Sequence, residues 1–411
     1  MQGIKDLFYQ DLEIRNWICE HILKFLYSYG YLEIQTPIME ERDLFFRSVG
    51  ESSDIMEKEL YTLDSLRPKI SLRPEGTAGV VRAIFRNKLF YSGQDFIKVF
   101  YRGSMFRHNR PQKGRLREFM QIGGEFFGIK EPIAEIEVLA MVHQFLKKLP
   151  IGDFVLEINT LGNKEERKIY IELLFKYFEG NIVHLCKECQ SRLFKSVLRV
   201  LDCKHEKCKR LVLTAPSLLD NLGRESLSHF DIILNGLMEL GVPYVVNRNL
   251  VRGLEYYTRT VFEFLSTDGL GAQNSIVGGG RYDNLVNIIA GEDVPALGFA
   301  VGVDRLEMLI KKNSINFLEK RPDLSIIYAD EYGKQQVLKW LINLRSSGKW
   351  IDCDYRDVSV RAKMRRANRI KSKKVIIIGE DEIKKKIAII KDMDMHSEEA
   401  WDMKKSLLEM I

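Results

Sequence analysis

Between Asp11 and Tyr27, apolar side chains fall at Ile14, Ile18, Ile22, Phe25 and Leu26, the spacing of one helix face. Gly30 would close that helix, and YLEIQTPIME (31–40) reads as the strand that follows, with Pro37 near its end. Two further strand-like runs, FIKVFYRGSMF and EFMQIGGEFFG, flank the polar loop RHNRPQKGRLR and predict a long-looped antiparallel hairpin. From about Gly162 to Gly236 the chain is charged, helical in period and cysteine-bearing, which reads as a helical insertion. In LVRGLEYYTRTVFEF (250–264), Thr258, Thr260, Phe262 and Phe264 alternate with Arg259, Val261 and Glu263, as in a half-buried strand. ALGFAVGVDRLEMLIKK turns from a small-residue strand into a helix near Asp304. KRPDLS, around Pro322, reads as a linker. Beyond it, strand-like and helical runs alternate, predicting a small α/β domain. The division expected is therefore 1–320, with the insertion at about 162–236, and 321–411.

Composition narrows this little. The chain has 411 residues, 45% hydrophobic and 29% charged, ordinary for soluble multidomain proteins. A formal charge of +6 is too small for a polycation but leaves room for a local basic face. The first residues mix acids and bases and do not read as a signal peptide, and no apolar run is long enough to span a membrane. Six cysteines in so long a chain do not suggest a disulfide scaffold, so a cytoplasmic location is expected.

Four stretches concentrate chemistry. In SLRPEGTAG, Glu75 and Thr77 straddle Gly76, a turn that can hold an ammonium group; the same residues suit a helix N-cap. On the returning hairpin strand, Phe119, Gln121, Gly123 and Glu125 share one face, beside Arg107 and a basic loop. A nucleotide can use such a face, its base on the ring and its phosphate at the arginine. Arg305 opens a helix after a strand, a plausible polyphosphate position, although a surface Asp–Arg pair would look the same. GGGRYD can bring backbone against a ligand, but it is not a Walker loop. Within the insertion, Cys186 and Cys189 form a Cys-x-x-Cys pair, followed by Cys203 and Cys208. Structural zinc is possible there, with His205 as a substitute ligand. The loose second spacing favours incidental reduced cysteines, so no metal ligand is assigned.

Taken together, these motifs resemble the class II aminoacyl-tRNA synthetases, specifically the histidyl-tRNA synthetase family. GYLEIQTPIME is similar to the dimer-interface motif 1, FRHNRPQKGRLREF to motif 2, and GFAVGVDRLEML to motif 3. LVRGLEYYTRTVFEF resembles the histidine-specific motif. The resemblance implies an α+β fold: an antiparallel-sheet catalytic domain with a helical insertion, plus a C-terminal α/β anticodon-binding domain. It implies a homodimer whose substrates are L-histidine, ATP with Mg²⁺, and tRNA(His). By the same resemblance Arg252 and Arg107 are the catalytic residues. Glu75, Thr77, Gln121, Glu125, Tyr256 and Tyr257 join these two arginines around histidine. Arg107, Asn109, Phe119 and Arg305 hold ATP, and Arg110 and Gln112 meet the tRNA acceptor end.

Two positions depart from the family pattern. Asn109 stands where the family usually has an acid, so its bond to the adenine amino group would lose charge assistance. Glu255 stands where Asp is more frequent, implying a small adjustment around the site. The acid-free, basic run 360–374 is a candidate tRNA-contacting helix. Non-catalytic synthetase-like proteins, regulatory subunits and stress-kinase domains, typically lose parts of the histidine motif or the anticodon domain. This chain keeps Arg252, Gly253, Tyr256, Tyr257 and a C-terminal domain.

Overall fold

The computed structural model describes residues 2–411 except 51, 52, 54, 64, 92, 94, 204, 255, 269, 272, 314–319, 407 and 409–411. The chain divides into two compact units, Met1–Ile315 and Asn316–Ile411. The first is built on an eight-stranded sheet in the order Leu32–Glu33, Ile97–Phe106, Glu118–Phe127, Ala296–Gly302, Ser275–Arg281, Thr258–Ser266, Phe154–Thr160, Tyr244–Val246. The six central strands are antiparallel, and each edge carries a short parallel strand. This is the α+β, antiparallel-sheet architecture that the resemblance implied.

Alternation along Glu118–Phe127 sorts its residues between two layers. Gly124 lies against Phe299 and Tyr31, and the Phe299 ring is tilted against Phe145 of the helix Ile133–Lys147, 6.4 Å between centroids. The helix Gln10–Ser28 joins this layer through Phe25, 6.3 Å from Phe145 between ring centroids. Four of the five residues that the period indicated, Ile14, Ile18, Ile22 and Leu26, are buried; Phe25 is half-buried, and Cys19 is buried as well. The opposite sheet face carries Phe119, Gln121, Gly123 and Glu125, and Tyr101 belongs to the buried cluster there.

YLEIQTPIME departs from the single strand expected. Leu32–Glu33 pairs with Val99–Phe100, and then Met39–Glu41 joins a separate three-stranded sheet with Ile70–Leu72 and Thr62–Leu63. Pro37 lacks an N–H for a ladder, and the chain changes sheets across it. The segment read as an insertion forms the helices Lys164–Glu179, Lys187–Lys195, Glu206–Leu213 and Arg224–Glu239. Asn163 and Glu166 make a reciprocal capping box at the first. The last helix runs beyond Gly236 and seats on Ile133–Lys147, where His229 Nε2 lies 2.7 Å from a Glu135 carboxylate oxygen. Glu135 also holds the fully buried Arg281 at 2.9 and 2.5 Å.

The second unit has a five-stranded sheet in the order Ile351–Cys353, Leu324–Tyr328, Lys374–Ile378, Ile387–Asp392, Ser397–Asp402, parallel across its first three strands and antiparallel across the rest. The helix Val360–Arg369 does not present its basic run uniformly. Lys363 is buried with its ammonium 3.2 Å from the centroid of the Tyr328 ring, and Arg366 pairs with Asp352. Arg361, Arg365 and Arg369, four residues apart, remain as one exposed stripe.

Candidate active site

Six of the residues marked in the sequence, Arg107, Asn109, Phe119, Gln121, Arg252 and Arg305, line one cavity of about 680 Å³. The hairpin places the first four. Arg107 follows the strand Ile97–Phe106, its N–H bonded to Arg117 O, and its side chain Nε donates to Pro74 O at 2.9 Å. The guanidinium lies 5.3 Å from the centroid of the Phe119 ring. Arg305 is fixed from three sides: Nε donates to Gly114 O at 2.9 Å, Nη1 to Ser275 O, and Nη2 to Gln273 Oε1 at 3.5 Å. The neighbouring Asp304 turns away, accepting from Arg15 and from the Met120 N–H, both at 2.7 Å. The two are therefore not a surface ion pair.

Burial, followed by the like charges of Arg107, Arg252 and Arg115, pushes the Arg305 pKa down to about 10. Several cations crowded together without equal counter-charge make a strong anion site. Asn109 adds a neutral group: it is buried, and its Oδ1 has no hydrogen-bond partner among the described residues. An orphaned buried acceptor lining a cavity is poised for a ligand donor.

Glu75, Thr77, Glu125, Tyr256 and Tyr257 are buried next to the cavity. Glu75 accepts from the Thr77 and Ala78 amides at 2.6 and 2.9 Å, so it caps the helix Thr77–Arg86 while remaining part of the cluster. Burial raises its pKa, with those two amides opposing. Glu125 receives the Thr77 hydroxyl at 2.7 Å and the Tyr282 hydroxyl on its other oxygen. Burial pushes its pKa up to about 8, against both hydroxyl bonds and together with the charge of Glu75. The Tyr256 ring stands 4.8 Å from Tyr257 and 5.7 Å from Tyr282, centroid to centroid. Arg252 connects the two regions, pairing with Glu263 and lying 5.8 Å from the Tyr257 ring centroid.

Two glycines make these placements sterically possible. Gly298 is opposite Glu125 in the ladder, where a Cβ would fall 1.8 Å from Glu125 Oε2. Gly278 is opposite Glu263, and a Cβ there would come 2.4 Å from the Arg252 guanidinium. GGGRYD thus brings its backbone against a site arginine, and its Gly278 also lines the cavity. Arg110 and Gln112 are exposed at the hairpin tip, and Gln112 borders a second cavity with Lys5 and Lys311. Glu255 lies outside the described residues. The sequence did not single out Tyr282, Tyr101, Glu263, Glu59 or Arg115, which pairs with Glu59. Strand alternation put Glu263 on one face with Arg259 and Val261, but loop residues such as Arg115 carry no such periodic signal.

The far wall of the cavity comes from the insertion, through Cys186, Glu188, Arg192, Asp202, Cys203 and His205. The Cys186, Cys189, Cys203 and Cys208 sulfurs all lie within 4.8 Å of one another. No helix among the described residues is long and apolar enough to cross a membrane.

A family model for histidyl-tRNA synthetase matches residues 3–306, and one for an anticodon binding domain matches residues 325–409. The histidine–tRNA ligase of Thermodesulfovibrio yellowstonii is 41% identical over 412 residues, covering 100% of this chain and 97% of its own. That of Aquifex aeolicus is 41% identical, covering 96% of each. The apo histidyl-tRNA synthetase of S. aureus superposes with a TM-score of 0.84 at 32% identity, covering 100% of this chain and 98% of that one. With residues of motif 2, motif 3 and the histidine-specific stretch lining one cavity, and full-length relatives at this identity, the chain belongs to the histidyl-tRNA synthetase family.

Proposed function

We infer that the protein is a histidine–tRNA ligase. It activates L-histidine with ATP to histidyl-adenylate and transfers the histidyl group to the 3′ end of tRNA(His). The observation that carries this is the cluster of Arg107, Arg115, Arg252 and Arg305 beside the buried carboxylates Glu75 and Glu125. A triphosphate needs the first group, and the amino group and imidazole of histidine need the second.

In this reading the histidine carboxylate attacks the α-phosphorus of ATP, and pyrophosphate leaves. Arg252 bridges carboxylate and α-phosphate, and Arg107 stabilises charge on the same phosphate. Arg305 holds the γ-phosphate, Phe119 stacks on adenine, and Asn109 Oδ1 accepts from its amino group. The nucleotide enters as its Mg²⁺ complex. Glu75, Thr77 and Gln121 hold the α-amino group. Glu125, Tyr256 and Tyr257 read the imidazole, so an amino acid lacking that ring leaves buried polar groups unpaired. No covalent enzyme intermediate is needed, and positioning dominates.

Arg110 and Gln112 would meet the acceptor end of tRNA, and the Arg361/Arg365/Arg369 stripe its backbone phosphates. The domain bounds proposed for these roles are 1–320, including the insertion at about 162–236, and 321–411. The exposed apolar side chains Leu32, Ile38 and Met39 support a homodimer through this segment, and the reading places the enzyme in the cytoplasm.

The test is ATP–pyrophosphate exchange with each amino acid in turn, followed by charging of tRNA(His). Exchange with histidine alone, lost in Arg252→Ala, is expected. Exchange with another amino acid, or none in a folded protein that binds tRNA, would overturn the assignment.

A further inference from the structure

We propose that Cys186, Cys189, Cys203 and Cys208 form a structural zinc site that braces the insertion against the active-site cavity. The argument is independent of the ligase reading. Although 22 residues separate the outermost two in sequence, the fold collects all four sulfurs within 4.8 Å of one another. Cys186 Sγ stands 3.9 Å from Cys203 Sγ. Tetrahedral Zn–S bonds of about 2.3 Å place sulfurs about 3.8 Å apart, so a contraction of roughly half an ångström per sulfur completes the cage.

Local structure builds this arrangement from two helix starts. Cys186 caps Lys187–Lys195 and Cys189 lies in its first turn; Cys208 lies in the first turn of Glu206–Leu213, and Cys203 precedes that helix. The Cys186 N–H donates to Cys208 Sγ at 3.2 Å, the kind of backbone bond that orients a thiolate ligand. His205, the substitute ligand allowed by the sequence, is not in the cluster: its Nδ1 accepts the Lys207 amide at 3.3 Å and caps the second helix. All six cysteines of the chain are free, and the four of the cluster are the only group of three or more potential metal ligands among the described residues. A soft, closed four-sulfur set selects Zn²⁺ over Mg²⁺ or Ca²⁺.

Binding releases the four thiol protons and leaves a dianionic tetrathiolate cage, with no change of oxidation state. The ion would tie together two short helices, Lys187–Lys195 and Glu206–Leu213. Cys189, Leu193, Cys208 and Val212 are their only buried residues. Because Cys186 and Cys203 line the cavity, the brace fixes that wall directly.

The test uses the untagged full-length protein from zinc-replete growth, purified without chelator. Elemental analysis should find about one zinc per chain, released as a mercurial titrates the cluster thiols. Exchange of the metal for Co²⁺ should give thiolate-to-cobalt charge-transfer bands and the intense visible bands of a tetrahedral site. That readout on the wild-type chain does not depend on any variant folding. Cys203→Ser should lower metal content and His205→Ala should leave it unchanged. Three results would overturn the proposal: a chain with all thiols free and no bound metal, iron in place of zinc, or a disulfide within the cluster.

Discussion

Glu125→Gln tests the buried cluster more directly than any loss-of-function change, because it should stabilise the protein while abolishing its activity. The protonated carboxyl and the amide have nearly the same shape, and both can serve the Thr77 and Tyr282 hydroxyls. What differs is ionisation. Displacing the Glu125 pKa from 4.5 to about 8 corresponds to about 5 kcal/mol between its two forms, at about 1.36 kcal/mol per pKa unit. Between those pH values the folded chain binds a proton that the unfolded chain does not. The Glu125 contribution to wild-type stability therefore falls as pH rises through this window, by about 1.4 kcal/mol per pH unit.

The variant lacks this loss. Its advantage should be near zero below pH 4.5, about 3 kcal/mol at pH 7 and about 5 kcal/mol above pH 8, of which differences between pH values are the firmest part. Urea denaturation followed by circular dichroism at several pH values, wild type against Glu125→Gln, measures it. Histidine-dependent pyrophosphate exchange, run in parallel, should be lost, because the amide cannot give up a proton and take on negative charge when a cationic ligand arrives. A stability difference that does not vary with pH would refute the account of Glu125 as a carboxyl held protonated by burial.

Other outcomes follow from single contacts. Gly278→Ala adds a Cβ where the Arg252 guanidinium lies, and should lower exchange on the order of a hundredfold without unfolding the chain; near-normal exchange would show that Arg252 need not stay in place. Asn109→Asp restores the acid usual in the family, and a severalfold lower KM for ATP is expected in steady-state exchange, since charge-assisted hydrogen bonds are roughly twice as strong. Arg281→Met takes from the buried Glu135 its fully buried arginine partner, leaving it the His229 ring, and should cost about 3–5 kcal/mol in denaturation; the cavity is not lined by Arg281, so exchange measured below the new melting temperature should persist.

The elements whose residues repeat with a clear period were legible from the chain alone. The Ile14–Leu26 helix face, the two hairpin strands and the shared face of Phe119, Gln121 and Glu125 all follow from local spacing, because a helix or strand fixes side-chain direction at each step. The motif order added the family and the residues to examine. Tertiary structure decided what spacing cannot encode. Pro37 marked an end but not the change of sheet. A uniformly basic run became one buried lysine, one ion-paired arginine and an exposed stripe, because only packing determines which helix face meets Tyr328 and Asp352. Gly278, the first of a glycine run, proved to leave the space that Arg252 occupies, and Tyr282 to be a partner of Glu125 from 157 positions away. The four cysteines looked incidental at their loose spacing until two helix starts turned their sulfurs together. Sequence fixes direction over a few residues. Proximity between distant residues is set by the register and packing of the whole sheet, and the chemistry of this site depends on that proximity.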